Sequence, residues 1–152
     1  MTGLQTARDC GVGIRGVAMA IDSVVWFGLF LVATTAIGAA TGELQTTAEG
    51  IQSNLEGTPA QMALGLWLGL AIGYHTLLEW LFGRTIGKYL VSIQVVNTDG
   101  SSLSLWRSLV RNLLRIVDWL PAFYALGILS MLVSSEYRRL GDRLGRTRVV
   151  RR

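Results

Sequence analysis

Between Gly16 and Gly42 the sequence carries one charged residue, Asp22, in a run otherwise dominated by Val, Ala, Leu, Ile, Phe and Gly. Such a run is long enough to cross about 30 Å of hydrocarbon at about 1.5 Å per residue, and few soluble folds accept it. Arg15 stands just ahead of it, seven residues before Asp22. Seven residues are nearly two helical turns, so both side chains share a face, and an ionisable group at that depth usually has a task. The apolar stretch far exceeds the roughly 7 to 15 residues of a signal-peptide core, and Asp22 interrupts it. The expectation is a retained spanning helix over about 14–41.

Composition agrees with a membrane solvent. In 152 residues, 51% are hydrophobic, and the mean hydropathy is +0.43. These values describe one compact integral membrane domain, 1–152. The net charge of +4 and pI near 9.8 come from basic residues flanking apolar segments. They read as topology signals and contacts to anionic lipid. Nucleic acid is excluded as a partner, because no surface interleaves basic and aromatic residues. The lone Cys10 has no partner for an internal disulfide or a redox pair and reads as a small interfacial residue.

Residues 42–60 read as a polar connection, broken by Gly42, Gly50, Gly57 and Pro59 and carrying Glu43, Glu49 and Glu56. A second span follows over about 61–82, with Gly65, Gly69 and Gly73 at every fourth position. That small-residue stripe lets another helix approach closely, in a homo-oligomer or a larger membrane complex. Gly83 to Lys88 reads as a basic turn, Leu90 to Val96 as a short strand, and Asp99 with Gly100 as a turn. From Ser104 to Asp118 the period is helical, with Arg107, Arg111 and Arg115 on one face. This amphipathic helix suits the membrane surface, its arginines facing lipid.

Trp119 to Ser135 contains no charge, and Pro121 begins or kinks a helix there. The tail 136–152 has seven arginines against two acids, and residues 83–117 have five bases against Asp99. Both segments belong on the cytoplasmic side. Three simple crossings from a cytoplasmic N-terminus would put the tail outside, so an even number of passages is needed. The fold expected is therefore an all-α membrane protein. It is a polytopic bundle of about four helical passages: two full spans plus a helical hairpin over about 104–135 broken at Pro121. Thr147 to Val150 then pairs with Leu90 to Val96 as a small cytoplasmic two-stranded β element, and both termini are cytoplasmic.

Apparent enzyme motifs fail. Gly83 to Lys88 has GxxxGK spacing and no following Ser or Thr, so it is not a phosphate-binding loop. There Gly87 permits a tight turn and Lys88 contacts a lipid phosphate or a helix end. His75 lacks a partner set for metal, and no Ser has a nearby base. Neither an enzyme nor a cofactor is expected. What remains is a set of membrane-embedded ionisable groups. Asp22 lies about 10 Å beyond Arg15, and His75 about 12 Å from Gly83, so on antiparallel helices they reach similar depths. His75 and Glu79 share a face. A cluster of Asp22, His75 and Glu79 facing Arg15 and Asp118 is geometrically permissible, and such groups exchange protons. The bland reading is that Arg15 and Asp22 are a satisfied ion pair that fixes helix packing.

Four blocks taken together resemble one family. They are Arg15 with Asp22, GRTIGKYLVSIQVVNTDGSSLS from Gly83, RSLVRNLLRIVDWLP from Arg107, and RRLGDRLGRTRVV from Arg138. In this order they resemble the RDD family of prokaryotic membrane proteins. The family is named for an arginine and two aspartates. Arg15 and Asp22 match the first-helix positions, and the remaining aspartate is Asp118 or Asp142. The resemblance further implies motif roles for Gly83, Thr85, Gly87, Lys88, Arg111, Arg115, Gly141 and Asp142. Cation/proton antiport has been proposed for some members. The function expected is therefore monovalent cation/proton exchange or permeation through a buried carboxylate. The alternative is a nonenzymatic accessory or scaffold subunit that binds anionic lipid.

Overall fold

A computed structural model describes residues 10–48, 50–115, 142 and 144–151, together with the backbone of 116–119. Within these residues the chain is mostly helical, with two long apolar helices and two small antiparallel strand pairs. The long helices are α1, Val12–Thr41, and α2, Gly57–Phe82. Both are long and apolar enough to cross a membrane, and only 17% and 22% of their most apolar windows are buried. A core helix of a water-soluble protein would be mostly covered. Here Val24, Phe27, Leu31 and Val32 of α1 and Leu64 and Leu66 of α2 are exposed, a surface that hydrocarbon accepts and water does not.

The chain forms two compact units, one of Ser23–Gly73 and the other of the flanking segments that end at Asp22 and begin at Tyr74. In the first unit, Trp67 packs edge-on against Trp26 and Phe30, at centroid distances of 6.0 and 5.7 Å. Its indole N–H donates to the Trp26 carbonyl at 3.0 Å. α1 ends where Gly42 takes φ +76 and the Glu43 amide donates back to the Gly38 carbonyl at 2.9 Å, a Schellman closure that glycine permits. Residues 42–60 are not simply a loop. Leu44–Thr47 (β1) and Gly50–Ser53 (β2) pair as an antiparallel hairpin, and α2 starts at Gly57 rather than near Gln61.

In the second unit the core is a strand pair. β3, Ile93–Asn97, runs antiparallel to β4, Thr147–Arg151, with Val95 opposite Val149. Ile93, Val95 and Val149 are buried with Cys10, Ala18 and Leu103. Cys10 is thus a core residue, its amide donating to the Val149 carbonyl at 3.0 Å. Gly83, at φ +70, closes α2 by donating to the Glu79 carbonyl at 3.0 Å and accepts from the Val95 amide at 2.7 Å. What reads in sequence as a turn from Gly83 to Lys88 contains a short helix, α3, Ile86–Leu90, capped by Thr85. Past β3, Asp99 Oδ1 accepts from the amide and hydroxyl of Ser101 at 2.8 and 2.6 Å, which holds its carboxyl below the ordinary value. α4 follows over Leu105–Trp119. The expected second arm of the hairpin, including Pro121, lies outside the described residues.

Ile93 is fully buried at the centre of this small core. Ile93→Ala should cost about 2–5 kcal/mol, read as a lower unfolding temperature in detergent, whereas the same truncation at exposed Ile51 should change little.

Candidate functional site

The family-motif segment after α2 is shaped around one carboxylate. Asp22, on α1, accepts from the Tyr74 hydroxyl at 2.8 Å, the Thr85 hydroxyl at 2.6 Å and the Gly87 amide at 2.9 Å. Thr85 also accepts from the Lys88 amide at 3.4 Å, so one hydroxyl caps α3 and ties it to α1. Tyr74 in turn accepts from the Ile86 amide at 3.1 Å. Gly87 lies where a Cβ would run into the Ala18 carbonyl oxygen and come within 2.9 Å of Asp22 Cγ. Backbone contact between α1 and α3 therefore requires glycine there.

Arg15 does not pair with Asp22. Its Nη1 meets Asp142 Oδ2 at 2.7 Å, and its Nε donates to the Cys10 carbonyl at 3.0 Å. Asp142 Oδ1 faces Arg111 Nη1 at 3.2 Å. Arg111 Nε faces Glu79 Oε2 at 3.5 Å, and Glu79 Oε1 binds Lys88. The result is a row of alternating charge, Arg15, Asp142, Arg111, Glu79 and Lys88, in which every member is buried. Asn112 Nδ2 donates to Glu79 Oε2 at 3.1 Å and to the Ser108 carbonyl at 2.9 Å, while the Ser108 hydroxyl donates to the Thr76 carbonyl at 2.9 Å.

This geometry corrects two expectations and refines a third. The arginine stripe of α4 does not simply face lipid, because Arg111 is buried in the row and Arg115 lines a cavity with it; helical spacing places residues on one face without saying which face is inside. Lys88 meets Glu79 rather than a lipid phosphate or a helix end. Of the permissible cluster of Asp22, His75, Glu79, Arg15 and Asp118, Arg15 and Asp22 line one cavity and His75 and Glu79 interact electrostatically, although their direct bonds differ. Asp22 belongs to the Tyr74, Thr85 and Gly87 set, Glu79 and Arg15 belong to the row, and His75 is buried edge-on against Tyr74 at 4.9 Å. The side chain of Asp118 and all of Gly141 lie outside the described residues. Sequence reading missed Tyr74, Ser108 and Asn112, polar residues that each have a partner 12 or more positions away. Among the described residues, a Cβ built on Gly65, Gly69 or Gly73 meets nothing within 4 Å.

A cavity of about 20 Å³ lies against Arg15, Asp22, Lys88, Arg111, Arg115 and Asp142, enough for one water. Burial, reinforced by Arg111 and Arg115, pushes the Lys88 pKa down to about 7 despite Glu79 beside it. No group of His, Cys, Asp and Glu among the described residues forms a metal site.

The model of the RDD family matches residues 10–146, a stretch that contains Arg15, Asp22, Asp142 and every other residue of the row. No curated protein and no solved structure matches the chain.

Two outcomes follow from the geometry. Asp22→Ala leaves two buried donors, Thr85 and Gly87, without an acceptor, at about 1–3 kcal/mol each, and also releases the part-buried Tyr74 hydroxyl. Thermal unfolding should therefore show it far weaker than Asp22→Asn, which retains an acceptor, and Gly87→Ala should rank with Asp22→Ala. Lys88 has a pKa of about 7 when folded against an ordinary 10.5. Between these values the unfolded chain holds the extra proton, so this group strengthens folding as pH rises from about 7 to 10.5. Unfolding temperatures across that window should climb less in Lys88→Met than in the parent.

Proposed function

The chain belongs to the RDD family, and on that premise we propose that it is a nonenzymatic, multi-pass protein of the cytoplasmic membrane that couples proton movement to movement of a small ion. Four helical passages are proposed: α1, α2 and the hairpin over about 104–135. The basic content of 83–117 and 136–152 supports placing both segments, with the β3–β4 pair and the termini, on the cytoplasmic side. The Gly65, Gly69 and Gly73 face supports close approach of a second copy. Partly exposed Arg84 and Arg107 and exposed Arg146 and Arg151 are the contacts for anionic lipid.

The observation that carries the functional reading is the buried row ending in Glu79 and Lys88 beside a water-sized cavity. A lysine that titrates near neutrality inside such a row is suited to accept and release protons at working pH. Asp22, held by three donors, serves as the lock that keeps α3 and its lysine in place. Monovalent cation/proton exchange is the form implied by the resemblance. A second reading is an accessory or scaffold subunit that binds anionic lipid. It is favoured by the engagement of Asp22, Glu79 and Asp142 with donors or cations, which leaves none of these three idle for a transported cation.

Proteoliposomes carrying a pH dye separate these readings. Saturable proton movement driven by sodium, potassium or lithium should occur in the parent and be lost in Lys88→Met. Asp22→Asn should retain part of it if that variant folds. Absence of flux from folded, oriented parent would leave the accessory reading, with copurifying partners or bound anionic lipid as its positive sign.

A further inference from the structure

The short helix α3 has two unlike faces. Gly87 and Lys88 are buried, turned to Asp22 and Glu79. Ile86, Tyr89 and Leu90, at positions i, i+3 and i+4, share the other face, and they are 49%, 61% and 62% exposed. Three large apolar side chains laid bare within five residues are costly in water. The chain reaches them directly from the end of α2, where Trp80, Leu81 and Phe82 are exposed as well. Between the two stretches Arg84 places its guanidinium over the Tyr89 ring, 4.7 Å from the centroid. Tyrosine and arginine both combine an apolar body with a polar end, which suits the boundary between hydrocarbon and headgroups.

We propose that α3 is an interfacial helix lying at the membrane–water boundary, with Ile86, Tyr89 and Leu90 set into the acyl edge and Arg84 against the phosphate of an anionic phospholipid. Two observations make the occupant lipid. The face continues the apolar surface at the end of a helix long and apolar enough to span, and the charge stacked on it is cationic, opposite in sign to anionic headgroups. The inference rests on the membrane reading of α1 and α2 and is independent of any flux.

The surface role thus goes to a different element from the one that periodicity suggests. α4 has the amphipathic pattern, yet its Arg111 is turned inward, whereas α3, too short to show a pattern in sequence, carries the exposed apolar face. The membrane boundary then falls at the element that holds Lys88. Thr85 and Gly87 fasten α3 to Asp22 while lipid bears on its opposite face, so lifting α3 off the bilayer acts on the same backbone that delivers Lys88 to Glu79.

The test places bimane on a single added cysteine, Ile86→Cys or Leu90→Cys, in the full chain in lipid nanodiscs. The parent, whose Cys10 is buried, gives the labelling background. Val24→Cys, exposed on α1, is the hydrocarbon reference, and Thr98→Cys, exposed in the turn after β3, is the water reference. Lipids brominated near the headgroup end of the acyl chain should quench positions 86 and 90 more than lipids brominated near the chain centre, as burial by about 5–10 Å requires. Aqueous iodide should quench Thr98→Cys far more strongly than either. Around position 90, brominated phosphatidylglycerol should be enriched about fivefold over brominated phosphatidylcholine, the worth of one arginine near such a surface, and Arg84→Gln should bring that ratio towards one. Iodide reaching positions 86 and 90 as readily as position 98 overturns the proposal. So does shielding from both iodide and bromolipid, which would mark a face covered by protein, and a lipid ratio of one in the parent overturns the anionic contact. If Val24→Cys is meanwhile quenched by bromolipid, these results sink this inference alone; if iodide quenches it instead, the membrane reading falls too.

Discussion

From Arg15 to Lys88 the buried charges alternate in sign, and each interior member touches an opposite charge on both sides. Removing one partner from such an arrangement leaves a bare charge in low dielectric, at about 3–5 kcal/mol. The row gathers side chains from α1, α2, α3, α4 and residue 142, so it ties these segments of the second unit to one another. Among the described residues its apolar core rests on Ile93, Val95 and Val149 with Cys10, Ala18 and Leu103. Breaking one ion pair therefore has consequences far from the pair itself.

Asp22 performs a separate task with the same economy. Its two oxygens accept from a tyrosine, a threonine and a backbone amide, and that amide belongs to a glycine pressed against the Ala18 carbonyl. The GxxxGK spacing, which is no phosphate loop, has a physical account here. Gly83 closes α2 with a left-handed backbone, Thr85 caps α3, Gly87 allows α1 to approach, and Lys88 is thereby delivered to Glu79. Moving any of the four would misplace the lysine.

Much of this scaffold was legible in sequence because it depends on local signals. The apolar run around Asp22 marked α1 to within two residues at its start, and alternation with a following Asp-Gly turn marked the β3–β4 pair within a few residues. The hairpin of β1 and β2 was not legible, since Leu44–Thr47 and Gly50–Ser53 are short, largely exposed and without clear alternation. The site was half legible. Helical spacing identified Arg15, Asp22, Glu79 and Arg111 as ionisable groups in unusual places, but it favoured pairing Arg15 with Asp22 along one helix. The actual partner, Asp142, is 127 positions away, a contact that periodicity cannot encode. Near a membrane, moreover, a polar helix face can point inward, and for that reason Arg111 reads equally well as lipid-facing or as core.

The saturation of the network also constrains how it can work. Asp22, Asp142 and Glu79 already have partners, so an arriving cation would have to displace a lysine or an arginine, and arginine keeps its charge at any working pH. The least costly change is loss of a proton from Lys88. It removes one positive charge from the row, leaves Glu79 with Arg111 and Asn112, and requires no backbone movement. On the proposed proton-coupled reading, ion movement would therefore be tied to the protonation of that lysine.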